Sequence, residues 1–157
     1  MPKIHPFLWF DSQAEEAANL YVSIFPNSKV LTTMRNPAGA PGPLGAVLTV
    51  DFELDGLRVT ALNGGPNFTF TEAVSLVIDC KDQAEVDHYW DALIENGGQP
   101  SQCGWLKDRF GLSWQVTPKQ IFETIGGPDA KGRERAMAAM MQMQKLDIAK
   151  LQAAYAG

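Results

Sequence analysis

The sequence predicts an α+β fold made of two βαβββ modules, followed by a helical tail. One observation is that a strand, a helix and a run of strands occur in that order twice, with the two starts about seventy residues apart. Another is that the tripeptide Gln-Ala-Glu opens both predicted helices, at residues 13–15 and 83–85. Because one copy is too small to bury both faces of its sheet, we expect the two copies to pair.

The two modules contain the same order of elements within a chain that we expect to form one domain, residues 1–157. The first module, residues 3–66, is predicted to have a strand at 4–10, a helix from 14 to 25, and strands at 29–35, 46–54 and 57–63. The second module, residues 74–118, is predicted to have a strand at 74–80, a helix from 83 to the glycines at 97–98, and a hairpin at 102–116. Residues 119–157 form the tail, with predicted helices at 119–125 and 133–155, the second of which carries methionines at 137, 140 and 141 along one side.

Local signals mark where these elements begin and end. Ser12 with Glu15, and Asp82 with Glu85, have the spacing of a capping box, which predicts the starts of the two helices. Asp55-Gly56 predicts a tight hairpin. Residues 36–45 contain three prolines and three glycines, so we expect a loop there that serves as a lid or a dimer arm.

Composition excludes several classes of protein. The net charge is −5 and the chain has no cluster of Lys and Arg, so we expect no nucleic-acid partner. No apolar run approaches the length of a membrane span, and the amino terminus lacks the layout of a signal peptide. Cys80 and Cys103 are too few for a disulfide framework. We therefore expect a reduced, cytoplasmic protein.

The predicted hairpin at 102–116 concentrates the polar and aromatic side chains that a ligand site needs. We expect the following residues to line a cleft: Trp9, Asn63, Gln102, Cys103, Trp105, Lys107 and Gln115. Simpler interpretations stand beside this one. The tryptophans, Trp114 among them, are equally consistent with a core, Cys103 with a half-buried thiol, and Lys107-Asp108 with a surface turn.

Longer motifs resemble a known group of proteins. They are Phe7-Leu8-Trp9-Phe10, Gln13-Ala14-Glu15-Glu16-Ala17, Phe25-Pro26-Asn27-Ser28, Ala61-Leu62-Asn63-Gly64-Gly65-Pro66, Ser101-Gln102-Cys103-Gly104-Trp105-Leu106-Lys107-Asp108, Gly111-Leu112-Ser113-Trp114-Gln115 and Met140-Met141-Gln142-Met143. The chain resembles the vicinal-oxygen-chelate (glyoxalase and bleomycin-resistance) superfamily, and within it the PhnB-like group labelled 3-demethylubiquinone-9 3-methyltransferase. The resemblance implies paired βαβββ modules, a cleft between curved sheets, and a homodimer.

The superfamily binds a divalent metal through His, Glu or Gln on the first and last strands of each module. Superposing the two copies of this chain pairs His5 with Ser75 and Thr60 with Gln115. Of these four, only His5 is a good ligand, Gln115 is a neutral one, and hydroxyls bind transition metals poorly. We therefore expect no cofactor, and a divalent metal at His5 and Gln115 is the alternative.

Two functions are consistent with the sequence. The first is a metal-free module that binds an apolar or aromatic small molecule. The second is a small enzyme that acts on a compact organic substrate. The label of methyltransferase gains no support from the residues, because Asn63-Gly64-Gly65-Pro66 does not open a helix and the strand pattern is not doubly wound. The shortage of paired acid and base groups favours the binding module.

Overall fold

A computed structural model describes residues 2–157, which fall into two compact units that divide between Phe70 and Thr71. The first unit contains β1 (Phe7–Phe10), α1 (Ala14–Ile24), β2 (Lys29–Arg35), β3 (Val47–Leu54) and β4 (Leu57–Asn63). The second contains β5 (Ser75–Cys80), α2 (Gln83–Ile94), β6 (Gln99–Pro100), β7 (Trp105–Lys107), β8 (Ser113–Pro118), α3 (Ile121–Thr124), α4 (Ala130–Met140) and α5 (Ile148–Ala156). This order confirms the predicted α+β class with two βαβββ sets of elements and a helical tail.

The two sheets have the same topology. The first has the strand order β1-β4-β3-β2 and the second β5-β8-β7-β6, with one parallel pair in each, β1 with β4 and β5 with β8. Phe7 lies opposite Thr60 in the first parallel pair, and Val77 lies opposite Gln115 in the second. This register makes His5 equivalent to Ser75 and Thr60 equivalent to Gln115, as the repeat in the sequence predicted.

Each unit buries one face of its sheet under its own helix. In the first unit, Tyr21 of α1 packs on Phe52 of β3 with ring centroids 6.3 Å apart, and both side chains are fully buried. In the second, Leu93 of α2 and Val116 of β8 are fully buried. Side chains alternate between the two faces of a strand, so every second residue of β4 and β8 faces away from these helices. The faces away from α1 and α2 carry most of the residues predicted to bind.

The start of α1 differs from the predicted capping box. Gln13 is the N-cap residue and its side chain makes no capping hydrogen bond. The first-turn amide of Ala14 instead donates to Oδ1 of Asn63, at 2.8 Å, at the end of β4. The second box is confirmed at its cap, since Asp82 accepts from the amide of Glu85 at 2.9 Å. The Glu85 carboxylate accepts from the amide of Lys81, one residue before the cap.

The tail is not one long helix, so the prediction of a helix at 133–155 was wrong. The chain leaves the helix after Met140 and begins α5 at Ile148, where Asp147 caps it by accepting from the amide of Lys150. The intervening segment, residues 141–147, makes backbone hydrogen bonds elsewhere in the second unit. Met137 and Met141 are 42% and 55% exposed. No helix within residues 2–157 has the length and hydropathy to span a bilayer.

Candidate functional site

The hairpin of β7 and β8 is organised by a buried carboxylate. Asp108 is only 2% exposed, which excludes the surface-turn interpretation. Its Oδ1 accepts from the amides of Phe110 and Leu112, at 2.9 and 3.1 Å, and its Oδ2 accepts from Nε1 of Trp114 at 2.9 Å. Trp114 is 2% exposed and therefore belongs to the core. Asp108 thus fixes the turn and the direction of β8 that follows it.

A cavity of about 540 Å³ opens beside this hairpin, entirely within the second unit. Four of the predicted residues line it: Gln102, Cys103, Trp105 and Lys107. Ser113 and Glu72 also line this cavity and bring a hydroxyl and a carboxylate to its wall. Six of the ten residues that line it belong to the segment 102–116, which the sequence predicts to supply much of the wall of a ligand site.

Ser113 is an unsatisfied polar group in this wall. The residue is 1% exposed, and its Oγ has no hydrogen-bond partner among residues 2–157. A buried hydroxyl without a partner is costly, because it gives up its hydrogen bonds to water without compensation. Ser113 belongs to the motif Gly111-Leu112-Ser113-Trp114-Gln115. Nothing in a sequence shows whether a serine hydroxyl has a hydrogen-bond partner.

Lys107 forms an ion pair with Glu72, which lies just before β5. Their side chains are 38% and 61% exposed, so the pair sits at the open side of the cavity. The hydrogen bond from Lys107, one from the backbone amide of Glu72 itself, and the charge of Lys107 hold the pKa of Glu72 below its usual value. Sequence reasoning missed Glu72, because nothing in its neighbourhood suggests a partner thirty-five residues away.

The loop at Cys103 is held by the tail. Cys103 has a φ of 59°, in the left-handed region, and its amide donates to the carbonyl of Met143 at 2.8 Å. The amide of Gly104 donates to the carbonyl of Gln144, also at 2.8 Å. The Sγ of Cys103 lies 3.7 Å from Sδ of Met141. The break between α4 and α5 therefore provides the carbonyl acceptors that fix this wall of the cavity.

The remaining predicted residues lie elsewhere. Gln115 does not line the cavity, and its Nε2 donates to Oγ of Ser75 at 2.9 Å. Trp9 and Asn63 belong to the first unit. The indole of Trp9 donates to the carbonyl of Gly65 at 2.9 Å, and the Nδ2 of Asn63 donates to the carbonyl of Val47 at 3.0 Å. Asn63 also borders a cavity of about 680 Å³ within the first unit.

His5 belongs to a hydrogen-bonded chain on the face of the first sheet away from α1. Thr60 donates its hydroxyl hydrogen to Oδ1 of Asp51 at 2.7 Å, so its oxygen accepts from Nε2 of His5 at 3.0 Å. Burial raises the pKa of Asp51, but the hydrogen bonds from Thr60 and Arg58, together with the charges of Arg58 and His5, outweigh it and hold that pKa below its usual value.

The four positions at which the resemblance suggests a metal form two hydrogen-bonded pairs, one in each unit. His5 pairs with Thr60, and Gln115 pairs with Ser75. One imidazole, one amide and two hydroxyls make a poor donor set for a divalent transition metal. Within residues 2–157, no three His, Cys, Asp or Glu side chains gather as metal ligands would. These side chains do not fit the superfamily metal.

Comparison with known proteins gives a family and a fold. The model of the family described as 3-demethylubiquinone-9 3-methyltransferase matches residues 2–117, so the Met140–Met143 part of the resemblance lies outside the match. The PhnB protein from Bacillus cereus is 34% identical, over 74% of this chain and 99% of its own, with a TM-score of 0.68. No curated protein matches the chain.

Two more distant structures show the fold alone. A protein from Pseudomonas aeruginosa is 19% identical, over 75% of this chain and 98% of its own, with a TM-score of 0.62. The fosfomycin resistance protein FosX from Listeria monocytogenes is 15% identical, over 78% of this chain and 97% of its own, with a TM-score of 0.53.

Proposed function

The chain belongs to the family described as 3-demethylubiquinone-9 3-methyltransferase, and we propose that it is a binding module that holds a flat organic molecule in the cavity of its second unit. The observation that carries this proposal is the buried hydroxyl of Ser113 in the cavity wall, which has no hydrogen-bond partner in the part of the chain that the structure describes. A ligand that hydrogen-bonds Ser113 removes the cost of that group. Trp105 offers an aromatic surface on which a planar ring can stack.

Direct binding measurements test this proposal. We expect planar aromatic compounds such as 2-naphthamide to raise the melting temperature of the protein and to titrate as one site per chain by calorimetry. Trp105→Ala removes the stacking surface and abolishes the response. Gln115→Ala is the matched control, since Gln115 lies on the neighbouring strand opposite Trp105 but outside the cavity, and it retains binding. Equal binding by wild type and Trp105→Ala would refute the proposal.

We do not propose methyl transfer as the function, because the chain lacks the expected methyl-donor site in its described residues. A dinucleotide-type or adenosylmethionine-type site places a glycine-rich turn between a parallel strand and a helix. Here Gly64-Gly65 follows β4, but no residue from 64 to 74 is helical. Both sheets contain antiparallel strands rather than a doubly wound parallel arrangement. These observations support a site of another kind.

We propose that the module works without a metal, because its donor set at the superfamily positions is poor. The test is to equilibrate the purified protein with Ni²⁺, Mn²⁺ or Zn²⁺, remove the excess by gel filtration, and measure the metal content. We expect less than stoichiometric metal. One ion per chain that is lost in both His5→Ala and Gln115→Ala would contradict the proposal and restore the superfamily metal site.

A small enzyme is the second candidate, favoured by the chain from His5 through Thr60 to Asp51. The hydroxyl oxygen of Thr60 accepts from Nε2 of His5, which leaves Nδ1 as the ring nitrogen outside this hydrogen-bonded chain. Such a ring can remove a proton from a substrate. The test is to incubate wild type and His5→Ala with a metabolite extract and compare the products by mass spectrometry. A product formed only by the wild type would favour the enzyme.

We propose that the protein is a homodimer. The edge strand β2 supports this, since all seven of its residues are exposed and Val30, Leu31 and Met34 are 38%, 37% and 51% exposed. Unpaired edges with apolar side chains are commonly covered by a partner. Sedimentation at micromolar concentration tests it. We expect a dimer that Met34→Lys weakens, and a monomeric wild type would refute the proposal. The expected cytoplasmic location and single domain stay predictions.

A further inference from the structure

One corner of the cavity in the second unit combines the charged side chain of Lys107 with the hydroxyl of Ser113. Lys107 and Ser113 are directly opposite each other on β7 and β8, so their side chains lie on the same face as cross-strand neighbours. Lys107 carries three hydrogen-bond donors and Ser113 one, and the Ser113 hydroxyl has no partner among residues 2–157. The two side chains therefore place a cation and a free hydroxyl donor at one point of the wall.

The aromatic surface lies on the same strand as Lys107. Trp105 and Lys107 are two residues apart on β7 and thus share a face of the sheet. Positions two apart along a strand are separated by about 6.5 Å. This separation is comparable to that between the outer ring of a naphthalene and the oxygens of a carboxylate on its other ring. A naphthalene whose outer ring stacks on Trp105 can therefore reach Lys107 and Ser113 with its carboxylate.

The protein already holds a carboxylate at this corner. Glu72 and Lys107 are the two charged residues among those that line the cavity in the described chain, and they pair with each other. Glu72 is 61% exposed and precedes β5 in a segment without regular structure, so its release from Lys107 requires no change in either sheet. Its departure leaves one uncompensated positive charge in an otherwise neutral wall.

On the basis of the proposed binding function, we infer that the ligand is a planar aromatic carboxylic acid whose carboxylate replaces Glu72 as the partner of Lys107. The ring stacks on Trp105, and the carboxylate accepts from the ammonium of Lys107 and from the hydroxyl of Ser113. Glu72 is then an internal competitor that occupies Lys107 until the ligand arrives. A neutral ligand leaves the pair of Lys107 and Glu72 in place and gains no charge-assisted hydrogen bond, so the arrangement favours carboxylates.

A pair of matched probes tests this inference by calorimetry. 2-Naphthoate and 2-naphthamide have nearly the same shape and differ in charge. We expect the wild-type protein to bind 2-naphthoate about tenfold more tightly than 2-naphthamide, since charge-assisted hydrogen bonds are about twice as strong as neutral ones, and a gain of about 1.4 kcal/mol in binding free energy is tenfold in affinity. Glu72→Gln removes the competitor, so it strengthens 2-naphthoate binding several-fold and leaves 2-naphthamide unchanged. Glu95→Gln, an exposed change of the same charge, changes neither.

The variants at Lys107 and Ser113 complete the test. We expect Lys107→Gln to reduce the affinity for 2-naphthoate to that for 2-naphthamide. Lys107→Arg keeps most of the preference for 2-naphthoate over 2-naphthamide, and Ser113→Ala lowers that preference. Thermal melting of each variant confirms folding. If the wild type binds both probes equally and Glu72→Gln has no effect, the inference is overturned and the binding function stands. If neither probe binds, the binding function itself fails and the inference fails with it.

Discussion

The carboxylate of Asp108 accepts the indole hydrogen of Trp114 at 2.9 Å, and both residues are 2% exposed. The same carboxylate accepts two backbone amides of the turn between β7 and β8. One buried anion therefore joins the core to the turn that carries the cavity wall. The pair has a structural role, and the positions of the cavity-lining residues on either side of it depend on its geometry.

Asp108→Asn tests this dependence. The side-chain amide of asparagine has one acceptor oxygen in place of the two carboxylate oxygens of Asp108. Its NH₂ group would face an N–H donor of the turn or of Trp114. We expect a loss of about 3 kcal/mol in the free energy of unfolding, measured by urea denaturation, because buried donors are left unsatisfied. Asp79→Asn, at an exposed position of β5, is the control and changes stability by less than about 0.5 kcal/mol. Equal stability of the two variants would contradict the role of Asp108.

The capping of α1 by Asn63 predicts a contrast between two substitutions. Asn63→Ala removes the acceptor for the amide of Ala14 and the donor to Val47, and should cost about 1–2 kcal/mol. Ser12→Ala changes the residue that the sequence suggested as the cap, and should cost less than about 0.5 kcal/mol. Chemical denaturation of both variants checks the difference. A larger effect at Ser12 would show that the capping box forms after all.

Asp51 predicts a dependence of stability on pH. Its pKa in the folded protein lies below the ordinary value of 3.8, so ionised Asp51 stabilises the fold above that pH, and the contribution is lost as the pH falls through the lowered pKa. Asp51→Asn should therefore be less stable than wild type at pH 7, by about 1 kcal/mol or less. The difference should shrink below pH 4. A difference that stays constant between pH 7 and pH 2 would contradict this assignment.

The two thiols should differ in reactivity. Cys80 is 1% exposed, and burial together with the charges of Glu85, Asp79 and Asp82 raises its pKa to about 12. Cys103 is half-buried at the cavity. Thiolate is the reactive form, so Ellman's reagent should modify one thiol per native chain and two after unfolding. Cys103→Ser should abolish the native reaction. Two reactive thiols in the native state would be the contrary result.

Much of the fold could be predicted from the sequence, because local signals and the tertiary structure agree over most of the chain. Asp55-Gly56 joins two strands, and the repeat gave the correct equivalence of His5 with Ser75. The break in the tail could not be predicted, since residues 141–147 keep helical composition. Their backbone leaves the helix because two of its carbonyls accept from Cys103 and Gly104, far away in sequence.

Contacts between residues far apart in sequence also explain which features of the candidate site could not be predicted. Four of the predicted residues share one cavity because they follow one another along a hairpin, which a sequence pattern reveals. Glu72, and the role of Asn63 as a helix cap, depend on long-range pairings that no local spacing encodes. The unsatisfied state of Ser113 depends on the absence of a hydrogen-bonding neighbour among residues 2–157. Sequence patterns carry no signal of that kind.

The most direct test of the central proposal is to map the binding site of 2-naphthoate by nuclear magnetic resonance of the isotope-labelled protein. We predict that the backbone amide signals of Gln102, Cys103 and Ser113 shift on titration and saturate at one ligand per chain. Shifts confined to the first unit around Asn63 and Gly65, or no saturable shifts at all, would contradict a ligand site in the cavity of the second unit.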